Sequence, residues 1–394
     1  MRIVIHDYPG HAFPVQLSRY LAQCGHEVWH VWSSDVESPR GPLNRQPTDP
    51  NNFHLCPVTL GKPLPKYNLI KRFFIEQQYA KKLIKQIAPY KPDIVLSNPS
   101  PFIQKTVLNW CKRYDVAFVY WLQDIYYVPI SNVLTKKFGI IGRIVTIIIK
   151  HYELNVLKKS THVVAISDDF KKFLLKHAVR KDDITIIPNW AILNEMDVLP
   201  KNNKWSKQQN LNENFVYLYA GTMGLKHNPQ ALVDLAKYVP ESIIVVITQG
   251  IGREYLENVK FEENIENLIL LDFQPFNILP QVLATSDVLI VLLEPEAGSF
   301  SVPSKILNYL CAGRPVLGAI PLENAAAKNI ITANAGIIVE PDDINAFVTN
   351  ARRLYGDDKL CTKMGKNGRT YAEQTFSIQK IGNKFEDILH NCLT

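Results

Sequence analysis

The chain has 394 residues, of which 46% are hydrophobic and 21% charged; this length and balance support two or three domains with buried cores and exclude a disordered or collagen-like chain. Its formal net charge is +7, and no run of about 20 apolar residues is available to span a bilayer. The six cysteines (Cys24, Cys56, Cys111, Cys311, Cys361, Cys392) are scattered, without the close pairs of a disulfide framework or zinc site, which suits a reducing cytoplasm.

The start, Met1 to His6, lacks the basic stretch and apolar run of a secretory signal and reads as a strand. Short β-branched runs predict strands over 2–6, 27–32, 93–97, 116–121, 162–166 and 184–187. Helical periodicity lies between them, over 14–24, 68–88, 102–113, 133–160 and 167–177. Segment 37–67 carries seven prolines and reads as a long loop. The Pro-, Asn- and Lys-rich stretch 188–214 has no period and reads as a linker. A second strand series follows at 215–220, 243–248, 267–272, 287–293, 315–319 and 335–339, and 377–394 reads as a last helix. Apolar strands alternating with helices predict an α/β chain of two doubly wound, Rossmann-like domains facing a central cleft. The expected boundaries are 1–190, 191–375 and a C-terminal helix, 376–394, able to return to the first domain.

Charge is unevenly shared. Residues 1–190 carry 26 Lys+Arg and 14 Asp+Glu, giving +12; the remainder carries 18 and 23, giving −5, and the two sum to +7. A basic half implies an anionic surface or ligand. Its basic residues come in short pairs such as Lys71-Arg72 and Lys81-Lys82, most of which solvated helix faces explain. They form no nucleic-acid-binding motif, and a phospholipid surface or a phosphorylated lipid substrate fits as well. Residues 133–150 combine Lys136, Lys137, Arg143 and Lys150 with isoleucines. Here we expect Phe138 and Ile140 to touch an anionic membrane and Ile144–Ile149 to lie in the core.

The most informative segment is 298–318. A strand ends, an acidic loop with Glu294 and Glu296 follows, and a helix is expected to start near Pro303. Free N–H groups at such a start favour an anion such as a diphosphate. Ser304 adds a hydroxyl and Lys305 a positive charge, although a solvated lysine on an ordinary loop–helix–strand unit has the same spacing. Asp124 follows strand 116–121 and either orients or deprotonates a hydroxyl substrate or caps the next turn. Gly10, after the first strand, permits close backbone approach of a ligand; its loop lacks G-x-G-x-x-G, so NAD binding has little support. Phe273 and Gln274 stand where a nucleobase contact or core packing is possible. Glu323 suits a sugar contact or a helix start.

The run Pro303-Ser304-Lys305-Ile306-Leu307-Asn308-Tyr309-Leu310-Cys311-Ala312-Gly313-Arg314-Pro315-Val316 resembles the donor-binding signature of family 4 glycosyltransferases, most closely the colanic acid, capsule and O-antigen branch. Gly25-His26-Glu27-Val28, Gln123-Asp124, Ala165-Ile166-Ser167, Ile187-Pro188-Asn189-Trp190, the loop 220–226, the run 321–325 and the run 339–343 resemble the family in the same order. The resemblance implies a GT-B fold and a hexosyltransferase-type enzyme. It further implies a nucleotide diphosphate-sugar donor, UDP-linked, held mainly by the second domain, and transfer with retention of anomeric configuration. Neither a metal nor another cofactor is expected, and no Asp-x-Asp occurs. The catalytic candidates are Asp124, Lys226 and Lys305. The donor-binding candidates are Gly10, Gly221, Thr222, Phe273, Gln274, Ser304, Asn308 and Glu323. A glycan or polyprenyl-linked acceptor in surface polysaccharide assembly follows, with cytoplasmic location and peripheral association with the inner face of the plasma membrane. One departure stands out: aligned on Ala312–Val316, the two positions where the broad family carries glutamates hold Phe300 and Asn308. A non-catalytic partner subunit and a nucleotide-sugar epimerase of the same fold stay open as rivals.

Overall fold

Both strand series fold as wholly parallel sheets, because short runs buried on both faces need helical crossovers on each side. The computed structural model describes residues 1–36, 40–62, 69–98, 100–224, 226–298 and 301–393. Backbone contacts divide the chain into two units, Met1–Asn189 with Ile378–Thr394, and Trp190–Ser377.

The first unit runs β1 (Arg2–Asp7), α1 (Ala12–Gln23), β2 (Glu27–Ser33), β3 (Phe53–Val58), α2 (Leu69–Ile87), β4 (Ile94–Asn98), α3 (Pro101–Arg113), β5 (Ala117–Leu122), α4 (Tyr127–Lys159), β6 (His162–Ala165), α5 (Asp168–Lys176) and β7 (Ile184–Ile186). The second runs α6 (Lys204–Gln208), β8 (Val216–Ala220), α7 (Gln230–Tyr238), β9 (Ile243–Ile247), α8 (Ile251–Glu262), β10 (Leu268–Leu271), α9 (Leu279–Thr285), β11 (Val288–Leu292), α10 (Lys305–Cys311), β12 (Val316–Ala319), α11 (Ala325–Thr332), β13 (Gly336–Val339), α12 (Ile344–Tyr355) and α13 (Asp358–Thr375). The last helix, α14 (Ile378–Asn391), packs on α1 in the first unit.

The seven-stranded sheet has the order β3-β2-β1-β4-β5-β6-β7, and the six-stranded sheet the order β10-β9-β8-β11-β12-β13. In the first, Ile3 of β1 sits opposite Val28 on one side and Ile94 on the other. In the second, Leu289 of β11 sits opposite Leu218 and Val316. Strand order reverses between β1 and β4 and again between β8 and β11. Loops leaving the carboxyl ends of such strand pairs diverge and leave a crevice for ligands. The loops after β1, β8 and β11 are therefore the places to look.

Four expectations need correction. Segment 37–67 is not wholly a loop: β3 pairs with β2, Phe53 opposite Val28 and Pro57 opposite Trp32. Proline hid the strand, yet β3 is an edge strand, where a missing N–H is tolerated. The stretch 188–214 is not a free linker. Trp190, Ala191, Ile192 and Met196 are buried, and guanidinium groups hold its backbone, Arg369 at the Met196 carbonyl (2.6 Å) and Arg314 at the Leu199 carbonyl (3.2 Å). The helix expected near Pro303 starts at Lys305 and is seven residues long.

The fourth correction concerns α4. Gly139 has φ 54° and breaks the helix into two arms. A side chain at position 142 would put its Cβ 2.1 Å from the Leu134 carbonyl oxygen, so only glycine lets the second arm lie against the first. Gly142, Ile149, Glu153 and Val156 make the inner face of that arm and are buried. Ile140, Ile141, Ile144, Val145, Ile147 and Ile148 are exposed, with Ile140 at 76% and Ile147 at 66%. Of the isoleucines expected in the core, Ile149 alone is there.

Candidate functional site

The second unit's reversal point brings Lys226 and Lys305 together. Lys305 opens α10 and Tyr309 follows one turn later on the same face. The Tyr309 hydroxyl accepts from the Ala220 N–H (3.0 Å) and donates to its carbonyl (3.3 Å), which ties the end of β8 to α10. Gly221 then follows with φ 138°. A Cβ there would lie 3.0 Å from Lys305 Cε and 3.1 Å from its Nζ. Gly221 is thus the residue that leaves room for the ammonium, which rests 3.3 Å from the centroid of the Tyr219 ring, a favourable cation–π geometry.

The Lys305 Nζ is buried and has no hydrogen-bond partner among the described residues. Burial, and next the charge of Lys226, hold its pKa well below the ordinary lysine value. An unpartnered buried cation is costly unless an anion joins it. Lys226 donates to Ser301 Oγ at 2.6 Å. Ser301 belongs to the loop after β11, and Asn324 holds that loop by donating to the Gly298 (2.9 Å) and Ser301 (2.8 Å) carbonyls. The Asn324 oxygen meanwhile caps α11 at Ala326 N.

The other donor-side candidates are placed less uniformly. Thr222 and Ser304 are exposed beside the lysines, and Asn308 is half-buried on α10. Glu323 is exposed just before the cap of α11. Phe273 is half-buried after β10. Gln274 is committed to its own loop, its carbonyl accepting from Trp205 Nε1 (3.1 Å) and its amide donating to the Asp272 carbonyl (2.9 Å). Gly10 has φ 79°, and a Cβ there would meet Leu43 at 2.7 Å and Trp32 at 3.3 Å, so this unit's own side chains require a glycine at that turn. Phe300 lies outside the described residues.

In the first unit Asp124 follows β5. At the start of α4 that follows, the buried Glu153 accepts from the Tyr126 (2.9 Å) and Tyr127 (2.8 Å) N–H groups. The neighbouring Gln123 accepts from Asn189 Nδ2 at 2.5 Å, which joins two motifs far apart in sequence. Arg72 is no solvated helix lysine-type charge; it pairs with buried Glu76 at 2.8 Å and covers the Tyr126 ring.

Three further residues of these loops carry no distinctive mark in the sequence. His11 caps the loop after β1. Its backbone N–H donates to the buried Asp7 carboxylate, and its Nδ1 lies 3.6 Å from Asp7 Oδ1. Burial lowers its pKa, but Asp7 and, more weakly, Asp124 outweigh that and raise it. His227 is its counterpart in the second unit. Burial, then Lys305 and Lys226, hold it neutral with a pKa of about 2, so Nδ1 accepts from Gly224 N at 3.1 Å. Asn324 is the third. A histidine beside a Gly-rich loop and an asparagine before a helix were the only signals, and both are common.

Buried neutral histidines make stability sensitive to acid. His6 and His30 are lowered to about 3 and about 4, chiefly by burial; Glu153 is raised to about 7, also by burial. Unfolded histidines take up protons below about 6.5 while the folded ones do not, so stability falls with pH. Over pH 4.5–6.5 the proton kept by folded Glu153 offsets one histidine of the first unit, where burial lowers His162 as well; in the second unit His227 dominates, and the more exposed Glu294, raised by burial and by Glu296, offsets part of it toward the acid end. The effect of His11 falls above this window. Each unit is expected to lose about 1 kcal/mol per pH unit between about 6.5 and 4.5. Urea unfolding at pH 7 and pH 5 measures this, and an equal or higher midpoint at pH 5 contradicts it.

Among the described residues, one group of three His, Cys or carboxylate side chains is close enough to share an ion, His26, Glu386 and His390, at the amino edge of the first sheet. None surrounds Lys226 and Lys305.

Comparison with known proteins decides the family. The model of Glycosyltransferase Family 4 matches residues 13–194, and that of Glycosyl transferases group 1 matches residues 201–371. The chain is a family 4, group 1 glycosyltransferase. An uncharacterised glycosyltransferase of Methanocaldococcus jannaschii is 23% identical over 59% of this chain and 59% of its own length. The capsular polysaccharide biosynthesis glycosyltransferase CapM of Staphylococcus aureus is 22% identical over 79% of this chain and 86% of its own. Among solved structures, sucrose-phosphate synthase from Thermosynechococcus elongatus superposes with a TM-score of 0.75 at 15% identity, covering 99% of this chain and 98% of that one. Anabaena HepE in complex with UDP-glucose does so at 0.72 and 16%, covering 99% and 100%. These likenesses establish the GT-B fold of this glycosyltransferase.

Proposed function

We propose that this glycosyltransferase moves a hexosyl group from a UDP-sugar to a lipid-linked glycan in surface polysaccharide assembly, with retention and without a catalytic metal. The observation that carries this is Lys226 set beside a buried Lys305 ammonium that has no hydrogen-bond partner among the described residues, at the reversal point of the second sheet. Breaking the bond to the anomeric carbon places negative charge on the leaving diphosphate. Fixed cations in a dry site stabilise that charge more in the transition state than in the ground state. Two lysines supply it without a carboxylate-bound ion. Gly221 and Tyr219 shape the seat, Ser301 and Asn324 hold Lys226's side of it, and Thr222, Ser304, Asn308, Phe273 and Glu323 line the donor's sugar and base. Asp124, with His11 beside it, orients the acceptor hydroxyl. HepE, whose structures hold UDP and UDP-glucose, supports the choice of nucleotide; CapM's name supports the pathway.

The exposed isoleucine face supports a lipid-borne acceptor. Among the described residues no helix is long and apolar enough to cross a membrane. On the second arm of α4, Ile140, Ile141, Ile144, Ile147 and Ile148 fall on one side, and Arg143 and Lys150 flank it. An apolar stripe with a basic edge suits the anionic inner face of the plasma membrane, as does the basic first half. Both features support a protein that works at the cytoplasmic surface of the membrane.

The test is a panel of UDP- and GDP-sugars with a polyprenyl diphosphate-linked glycan, the product's anomeric configuration read by NMR. Retained transfer from a UDP-sugar is expected. An inverted product or a GDP-sugar preference contradicts the reading. Donor epimerisation without acceptor favours the epimerase, and absence of nucleotide binding favours the partner subunit.

A further inference from the structure

At the opposite, amino edge of the first sheet, the turn between α1 and β2 meets α14. His26 in that turn is buried, and its Nε2 lies 2.9 Å from Glu386 Oε1. Glu386 and His390 are four residues apart and so share one face of α14. The His26 and His390 rings lie 5.8 Å apart at 63°. One ligand atom from each of His26, Glu386 and His390 lies within 4.8 Å of the other two. The cluster is graded in exposure, from buried His26 through half-buried Glu386 to exposed His390, so an ion has an open side by which to enter. Nothing in the transfer chemistry uses these groups. We propose that His26, Glu386 and His390 form a structural site for a zinc-type divalent ion, which fastens α14 to the first sheet.

The donor set fits such an ion. Two imidazoles and one carboxylate make three ligands, with the fourth place open to water. Tetrahedral zinc–nitrogen bonds of about 2.0 Å separate ligand atoms by about 3.3 Å, and rotation of the exposed His390 side chain closes the remaining gap. Glu386 supplies negative charge, and its Oε1 already lies 2.9 Å from His26 Nε2, close to the separation of two ligand atoms on one ion. The seat itself is built: α14 buries Ile381, Phe385, Ile388 and Leu389, Phe385 packs edge-on against Trp121 at 4.9 Å, and Tyr20 of α1 donates to Asn383 at 2.5 Å. The ligand atoms are therefore presented on packed elements rather than on loops. Its ligands lie 360 residues apart, which is why a search for close cysteine or histidine pairs passes over it.

The test uses untagged full-length protein, stripped with a chelator and then dialysed against zinc sulfate. Metal content and the thermal unfolding midpoint are measured for the wild type, His390→Ala, Glu386→Gln and, as a control, Lys305→Met. The proposal predicts one zinc per chain in the wild type and the control, a midpoint raised by several degrees, and loss of both effects in the two α14 variants. Both variants alter exposed or half-exposed positions, so they fold, and circular dichroism checks that they do. No stoichiometric zinc in the wild type, or full retention by His390→Ala, overturns it.

Discussion

Replacing Lys305 by methionine is expected to lower kcat/KM by about 10²–10³-fold, the cost of removing one fixed donor from a developing oxyanion. The same substitution is expected to leave the unfolding midpoint equal or higher. The Lys305 ammonium is buried without a hydrogen-bond partner among the described residues, so an apolar side chain of similar length relieves a desolvation penalty. Activity and stability therefore move in opposite directions, which a structural lysine would not show. A second readout follows from proton linkage. Free Lys305 has its pKa lowered by burial and by Lys226; an incoming diphosphate raises it again. Donor binding should take up a proton at pH values above the lowered pKa, seen as a binding enthalpy that varies with the buffer's ionisation enthalpy. Loss of that variation in Lys305→Met would identify the group. Wild-type turnover in the variant would refute its role.

The second large effect concerns the membrane. The double substitution I144D/I148D removes two exposed isoleucines from the apolar stripe of α4. Burying one such side chain is worth about 1.5–3 kcal/mol, so binding to vesicles containing phosphatidylglycerol should weaken by more than about 100-fold. Because both side chains are more than half exposed, folding should be unaffected. Turnover with a water-soluble acceptor analogue should also persist, while turnover with a polyprenyl-linked one falls. Vesicle binding unchanged by the substitution, or insensitive to salt in the wild type, would remove the lipid reading.

Much of the architecture was legible because parallel strands must be apolar along their length. All six strands of the second sheet and six of the first stand where β-branched runs predicted them. What escaped did so for local reasons. Pro57 disguised β3, since a proline argues against a strand unless the strand is at an edge. The isoleucines of α4 read as core from sequence because periodicity shows that a face exists, not which way it points; the turn at Gly139 and the contact at Gly142 decide that. The lysines were visible through their motif, yet their burial was not. Lys305 looks like any helix-start lysine until Gly221 and Tyr219 are placed beside it, and those contacts depend on strand order. His11 and His227 were invisible for the same reason: their character is set by Asp7 and by the two lysines, through distances no spacing rule encodes.

On the proposed reading the second unit grips a diphosphate with lysine side chains and no metal ion. Calorimetric titration of UDP and of uridine into protein held in excess chelator tests it most directly. Measurable UDP binding is expected under those conditions, with at least tenfold weaker binding of uridine and loss of that difference in Lys226→Met. Equal affinity for the two compounds, or UDP binding that emerges only when a divalent ion is restored, would contradict it.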